Sequence, residues 1–176
     1  MSRRGRDVES ESERSFVAFV RAVLPALMRL TRRVAPEGVD PEDIASEALG
    51  RCFANWDQLQ NAPYREAWVM RVAANLAYKA YGRAKRFRSL PARIGPVHVD
   101  APESVVAART DLGRALRALP QRQREAIALH YLADLPLADI SRAMGVSGET
   151  VKTHLERGLA ALRRELGVDL EGAVNE

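Results

Sequence analysis

The stretch Leu137–Leu166, LADISRAMGVSGETVKTHLERGLAALRREL, limits what this chain can fold into more than any other part of it. Leu137, Ile140 and Met144 recur at spacings of three and four, which puts them on one face of a helix. Gly145 follows where a left-handed helix terminator is needed, a conformation that glycine takes without a Cβ penalty. Ser147 is placed to cap a second helix, in which Val151, Leu155, Leu159 and Leu162 again repeat at helical spacing. Lys152, Thr153, Glu156 and Arg157 form its opposite, polar face. Two helices joined by so tight a turn, with a polar and partly basic face on the second, predict a DNA-binding helix-turn-helix rather than a plain αα-hairpin.

The remainder is also helical in pattern. No strand-like alternation of useful length occurs, so the expected fold is all-α: two small helical domains joined by a flexible linker, the second containing the helix-turn-helix. Residues 1–14 read as a disordered leader. An N-terminal domain spans 15–88, a linker 89–103, the C-terminal domain 104–168 and a tail 169–176. Phe16, Phe19, Val20, Val23, Leu24, Leu27 and Leu30 form one apolar stripe, which Pro25 should kink or split. Asp40 should cap a helix opened by Pro41. A long helix follows from Tyr64, with Trp68, Val69, Val72 and Leu76 on its buried side. Three prolines and a glycine between Ser89 and Pro102 mark the boundary. Beyond it, Ile127, Leu129, Tyr131 and Leu132 are core candidates.

Charge distribution narrows the function. The 176 residues carry a net charge of +4. From Glu37 to Asp57 there are six acids and one base, whereas from Arg71 to Arg93 there are seven bases and no acid. The acids Asp40, Glu42, Asp43 and Glu47 come from one helix start, so a capped helix is a better reading than a metal site. A docking surface for a basic partner is a third reading. The bases Arg71, Lys79 and Arg83 stand among Trp68, Tyr78, Tyr81 and the amide of Asn75. That mixture suits single-stranded nucleic acid, whose phosphates meet charge while unstacked bases meet rings. Trp68 and Tyr78 serve equally well as core residues. Cys52 is the sole cysteine, His98, His130 and His154 are scattered, and no catalytic motif occurs, so a metal, a cofactor or an enzyme is not expected. No apolar run approaches the roughly 20 residues of a membrane span, and the N-terminus lacks a secretory core, which leads to a cytoplasmic expectation.

Several of these segments resemble the extracytoplasmic-function (ECF) sigma factors of bacterial RNA polymerase. The resemblance rests on Leu119-Pro120-Gln121-Arg122-Gln123-Arg124-Glu125 with Gly148-Glu149-Thr150-Val151-Lys152-Thr153, on Asp40-Pro41-Glu42-Asp43-Ile44-Ala45-Ser46-Glu47, and on Trp68-Val69-Met70-Arg71-Val72-Ala73-Ala74-Asn75-Leu76-Ala77. It runs from about Phe16 to Leu166. It implies a dissociable polymerase subunit. Asp40, Glu42, Asp43 and Glu47 would dock on the core polymerase clamp; Trp68, Arg71, Asn75, Lys79 and Arg83 would line the melted −10 strand; Lys152, Thr153, Glu156 and Arg157 would read the −35 duplex. An anti-sigma partner is common in this group. The sequence departs from the family at Ser46, where glutamine is usual, at Ala74 (arginine), Lys79 (aspartate) and His154 (arginine). It departs also at Glu156, where a carboxylate favours a cytosine amine over a phosphate. Two alternatives remain open at this level: a stand-alone LuxR-like regulator, and a sigma-like polymerase-binding protein without initiation activity.

Overall fold

In a computed structural model, residues 3–88 and 103–167 are described, with side chains from residue 11 to 81 and from 111 to 167. Among the described residues the regular structure is helical. The order is α1 (Arg3–Val34), α2 (Pro41–Ala54), α3 (Trp56–Leu59), α4 (Arg65–Arg88), α5 (Glu103–Ala118), α6 (Gln121–Ile127), a π-helical turn (Ala128–Leu132), α7 (Leu137–Met144) and α8 (Gly148–Leu166).

The N-terminal half forms around α1. Phe19, Val23, Leu27, Leu30 and Val34 recur at spacings of three and four and are all buried, while Leu24 lies on the outer side of that stripe and is exposed. Pro25 does not divide the helix. It too is exposed, so the backbone acceptor that loses a donor to the ring can be served by water. The helix also runs back to Arg3. Once residues 15–34 are docked, extending a formed helix avoids the cost of nucleation, and the run from Arg6 to Arg14 contains neither proline nor glycine. Ser15 donates to the Ser12 carbonyl over 2.8 Å and accepts from Trp56 Nε1 over 2.9 Å, tying α1 to α3. As expected, Asp40 caps α2, accepting from the Glu42 amide over 2.8 Å. Ile44, Ala45, Ala48 and Cys52 are its buried side. Small residues on α4 (Ala67, Ala73, Ala74 and Ala77), all buried, let the helices approach closely.

The C-terminal half confirms the helix-turn-helix. Gly145 sits at φ 67°, ψ 38°. Around it Val146 donates to the Ser141 carbonyl over 3.1 Å and Gly145 to that of Arg142 over 3.3 Å, a Schellman closure. Ser147 caps α8 by accepting from the Thr150 amide over 3.1 Å. Ile140 on α7 and Val151 on α8, one on either side of the joint, are both fully buried. Gly158 matters for packing: a Cβ there would lie 3.1 Å from Ile127 Cγ1, so its absence lets α8 close on α6. Tyr131, expected in the core, is 42% exposed. The π turn adds a residue to the helical register and turns Tyr131 outward, where it packs edge-on against His130.

The two halves are not separate bodies. The helix α4 packs against α1 and α2 on one side and against α6, the π turn and α7 on the other. A single cluster of buried side chains runs through both halves. The linker expected at 89–103 falls, except for Glu103, outside the described residues, as does the tail 169–176.

Candidate nucleic-acid interface

The site begins with one stripe of α4. Arg71, Asn75, Tyr78 and Tyr81 follow one another at spacings of four, three and three, which aligns them along one helical face. The C-terminal half supplies a partner for each. Glu125 on α6 is fully buried; its Oε2 accepts from Arg71 Nε over 3.0 Å and its Oε1 from Asn75 Nδ2 over 3.0 Å. Gln121 donates to the same carboxylate over 2.8 Å, and an Arg122 nitrogen lies 3.5 Å away. The Arg124 guanidinium stands 4.7 Å from the Tyr78 ring centre, and that of Arg117 4.1 Å from the Tyr81 ring centre. A Cβ on Gly113 would come within 2.8 Å of the Tyr81 hydroxyl, so glycine makes that approach possible.

Arg71 has a second task. Its Nη1 donates to the Ala143 carbonyl over 2.8 Å, and Arg122 donates to that of Met144 over 3.3 Å. These are the last carbonyls of α7, so two arginines satisfy acceptors left open by the helix end and meet the negative end of its dipole. A further bond joins the halves: Arg33 at the end of α1 donates to the Leu132 carbonyl over 2.7 Å.

Burial alone would push the Glu125 carboxyl up, but hydrogen bonds from Gln121, Arg71 and Asn75, with the charge of Arg71, hold it below its ordinary value. Glu125 therefore stays ionised. Burial does raise the Tyr78 hydroxyl, which has no hydrogen-bond partner, and it pushes the Cys52 thiol up to about 11.

The sequence-expected residues fall into three groups. Arg71 and Asn75 are brought together, half-buried against the C-terminal half; Trp68 is half-buried; Lys79 is exposed. The side chain of Arg83 lies outside the described residues. On α8, Lys152, Glu156 and Arg157 are exposed and Thr153 partly so. Lys152 pairs with Glu149 over 2.8 Å, which holds its ammonium above the ordinary value, and the Thr153 hydroxyl donates to the Glu149 carbonyl over 3.0 Å. On α2, Asp40, Glu42, Asp43 and Glu47 are all exposed, with Glu47 paired to Arg51 over 2.8 Å. The described residues contain no acid, cysteine and histidine group able to hold a metal ion. No helix among them is long and apolar enough to cross a membrane.

Family models match in two places. Residues 19–87 match Sigma-70 region 2, and residues 109–162 match Sigma-70, region 4. The chain is 32% identical over 152 residues to the RNA polymerase sigma-E factor of Streptomyces avermitilis, covering 86% of this chain and 84% of that one. The chain belongs to the sigma-70 family, in its ECF group. SigW, an ECF sigma factor of Bacillus subtilis, is 26% identical over 94% of this chain and 96% of its own length. The fold of this sigma factor is shared by RpoE of Bartonella quintana, solved with the anti-sigma factor NepR (24% identity, TM-score 0.59, 88% and 98% coverage). It is shared too by CnrH, solved with the cytosolic domain of CnrY (20% identity, TM-score 0.61, 89% and 90% coverage).

Sequence reasoning missed Glu125, Arg117 and Arg124 as partners of α4. One signal was present: Glu125 adjoins Ala126, Ile127, Ala128 and Leu129 on a helix with little room for a solvated acid.

Proposed function

We propose that this sigma factor binds core RNA polymerase through α2, reads a −35 duplex with α8 and holds the melted −10 strand on α4, so that transcription starts at a defined set of promoters. The observation that carries the reading is the presence of both sigma regions in one chain, with the polar face of α8 turned outward. A helix of that kind fits the major groove, and its Lys152, Glu156 and Arg157 are exposed for base edges and phosphates. Duplex and melted strand call for different surfaces, and α4 offers the charge and rings that suit the strand. Asp40, Glu42, Asp43 and Glu47 form an acidic patch suited to a basic clamp surface. The protein works in the cytoplasm, on the nucleoid through polymerase, as a non-catalytic subunit without metal or cofactor. An anti-sigma factor as a further partner is in keeping with the complex in which RpoE was solved.

Reconstitution with core polymerase and a promoter library tests the reading, with specific transcript starts as the readout. Wild type yields starts from a shared promoter pattern, and charge reversal at Asp43 and Glu47 weakens core binding. Core binding without starts would leave a polymerase-binding protein, and duplex binding without core binding would leave a stand-alone regulator. Unchanged affinity of the charge-reversed chain would remove the docking role of α2.

A further inference from the structure

Glu149 lies in the first turn of α8, the turn whose residues meet base edges when such a helix enters the major groove. Its side chain is 83% exposed, that of Lys152 is 52% exposed, and Lys152 Nζ donates to Glu149 Oε1 over 2.8 Å. The backbone beneath this pair is pinned on both sides. Ser147 accepts from the Thr150 amide over 3.1 Å, the Ser147 and Thr150 hydroxyls meet over 2.8 Å, and the Thr153 hydroxyl donates to the Glu149 carbonyl over 3.0 Å. The pair is therefore held in place while its outer side stays open. Exposed ion pairs contribute little to a fold, so this one is better placed to read than to brace.

Counting donors and acceptors gives the pair a partner. An ammonium has three hydrogens, so Lys152 keeps two after bonding Glu149, and the carboxylate keeps its second oxygen. Side by side these make donor, donor, acceptor. Among base-pair edges in the major groove, the complement is G·C in one orientation: guanine N7 and O6 accept, and the cytosine N4 amine beside them donates. O6 and N4 are themselves hydrogen-bonded, about 2.9 Å apart, which matches the 2.8 Å between Lys152 Nζ and Glu149 Oε1. An A·T edge runs acceptor, donor, acceptor, and would set a Lys152 hydrogen against the adenine amine. A phosphate suits Lys152 poorly, because Glu149 and, one turn on, Glu156 surround the ammonium with negative charge and hold it above its ordinary value. Resting on the reading of α8 as the −35 helix, we propose that Glu149 and Lys152 together read one G·C pair in a fixed orientation, Glu149 accepting from cytosine N4 and Lys152 donating to guanine O6 and N7.

The test uses core polymerase reconstituted with the full chain as wild type, E149A, K152A and the double variant. Each holoenzyme is given a promoter library randomised across the −35 element, and the transcripts are sequenced. The salt dependence of binding to one selected promoter is measured alongside, and the helicity of each chain by circular dichroism. Wild type is expected to require G·C in one orientation at one −35 position. E149A and K152A each lower that preference roughly tenfold and leave the other positions unchanged. The double variant is no worse than either single one, because the two side chains act as a unit. Loss of preference at two different positions overturns the proposal. So does a uniform loss of affinity in K152A with a salt slope shallower by about one, the mark of a phosphate contact. Should E149A lose helicity, E149Q, which keeps the shape, decides by the same loss of G·C preference. The underlying reading fails separately: a wild type with no −35 preference at all removes α8 as the −35 helix together with the proposal. A −35 motif that E149A leaves intact removes only the proposal.

Discussion

Glu125 places a carboxylate with no solvent exposure where four side chains converge. Such a group is tolerable only when its lone pairs are filled, and removing a partner from a buried charge costs more than the bond itself contributes. E125Q keeps the shape but turns an amide toward Arg71, so the folded state should lose about 1–3 kcal/mol near neutral pH. The pH dependence has a definite sign. The folded carboxyl is held below its ordinary 4.5, so its contribution is fully present above pH 4.5 and is lost as pH falls through the lower folded value. The stability gap between wild type and E125Q, followed by denaturant titration, should therefore narrow in acid. A gap constant down to the lowest pH at which the chain folds would contradict the assignment. In the sequence, Arg71 and Asn75 look like a solvated polar face, because helical spacing shows which residues share a face and not what covers that face.

The helix-turn-helix is the element that the sequence described best. The apolar spacing on either side of Gly145 sets the two helices, and glycine with Ser147 sets the joint. Both appear as expected, with φ 67° at Gly145 and the Ser147 cap over 3.1 Å. Gly145→Ala should cost about 1–2 kcal/mol, the penalty for a Cβ in left-handed backbone. Ser147→Ala should cost about 0.5–2 kcal/mol through the lost cap. For a chain of this size each kcal/mol lowers Tm by about 2–4 °C, which calorimetry resolves. Unchanged melting in both variants would mean that the joint does not hold the fold. Other elements were less legible. Tyr131 follows a regular apolar pattern, yet a π turn displaces it, and nothing in the residue spacing announces the extra residue. The helix over residues 3–14 was missed because a polar, charged segment shows no apolar periodicity, while its helicity follows from attachment to a docked neighbour.

On the scale of the whole molecule, α4 belongs to two cores at once, and this was invisible in sequence because the contacts join residues 50 to 72 positions apart. The compact arrangement cannot be the one that spans a promoter. A compact chain of 176 residues is about 40 Å across. Elements about 25 base pairs apart lie roughly 80 Å apart on duplex. Residues 89–102 could reach at most about 50 Å if extended, enough with the width of two domains to cover that distance. With α4 on the −10 strand and α8 on the −35 duplex, as proposed, promoter engagement therefore requires the two helices to separate. The direct measurement is energy transfer between dyes at D57C and E165C, two exposed positions, compared in the free chain and in the transcribing holoenzyme. Cys52 will not compete for label, because it is fully buried and burial pushes its thiol up to about 11. High transfer in the free chain that collapses when the promoter complex forms is the predicted result, and high transfer retained in a complex that makes transcript would contradict the account.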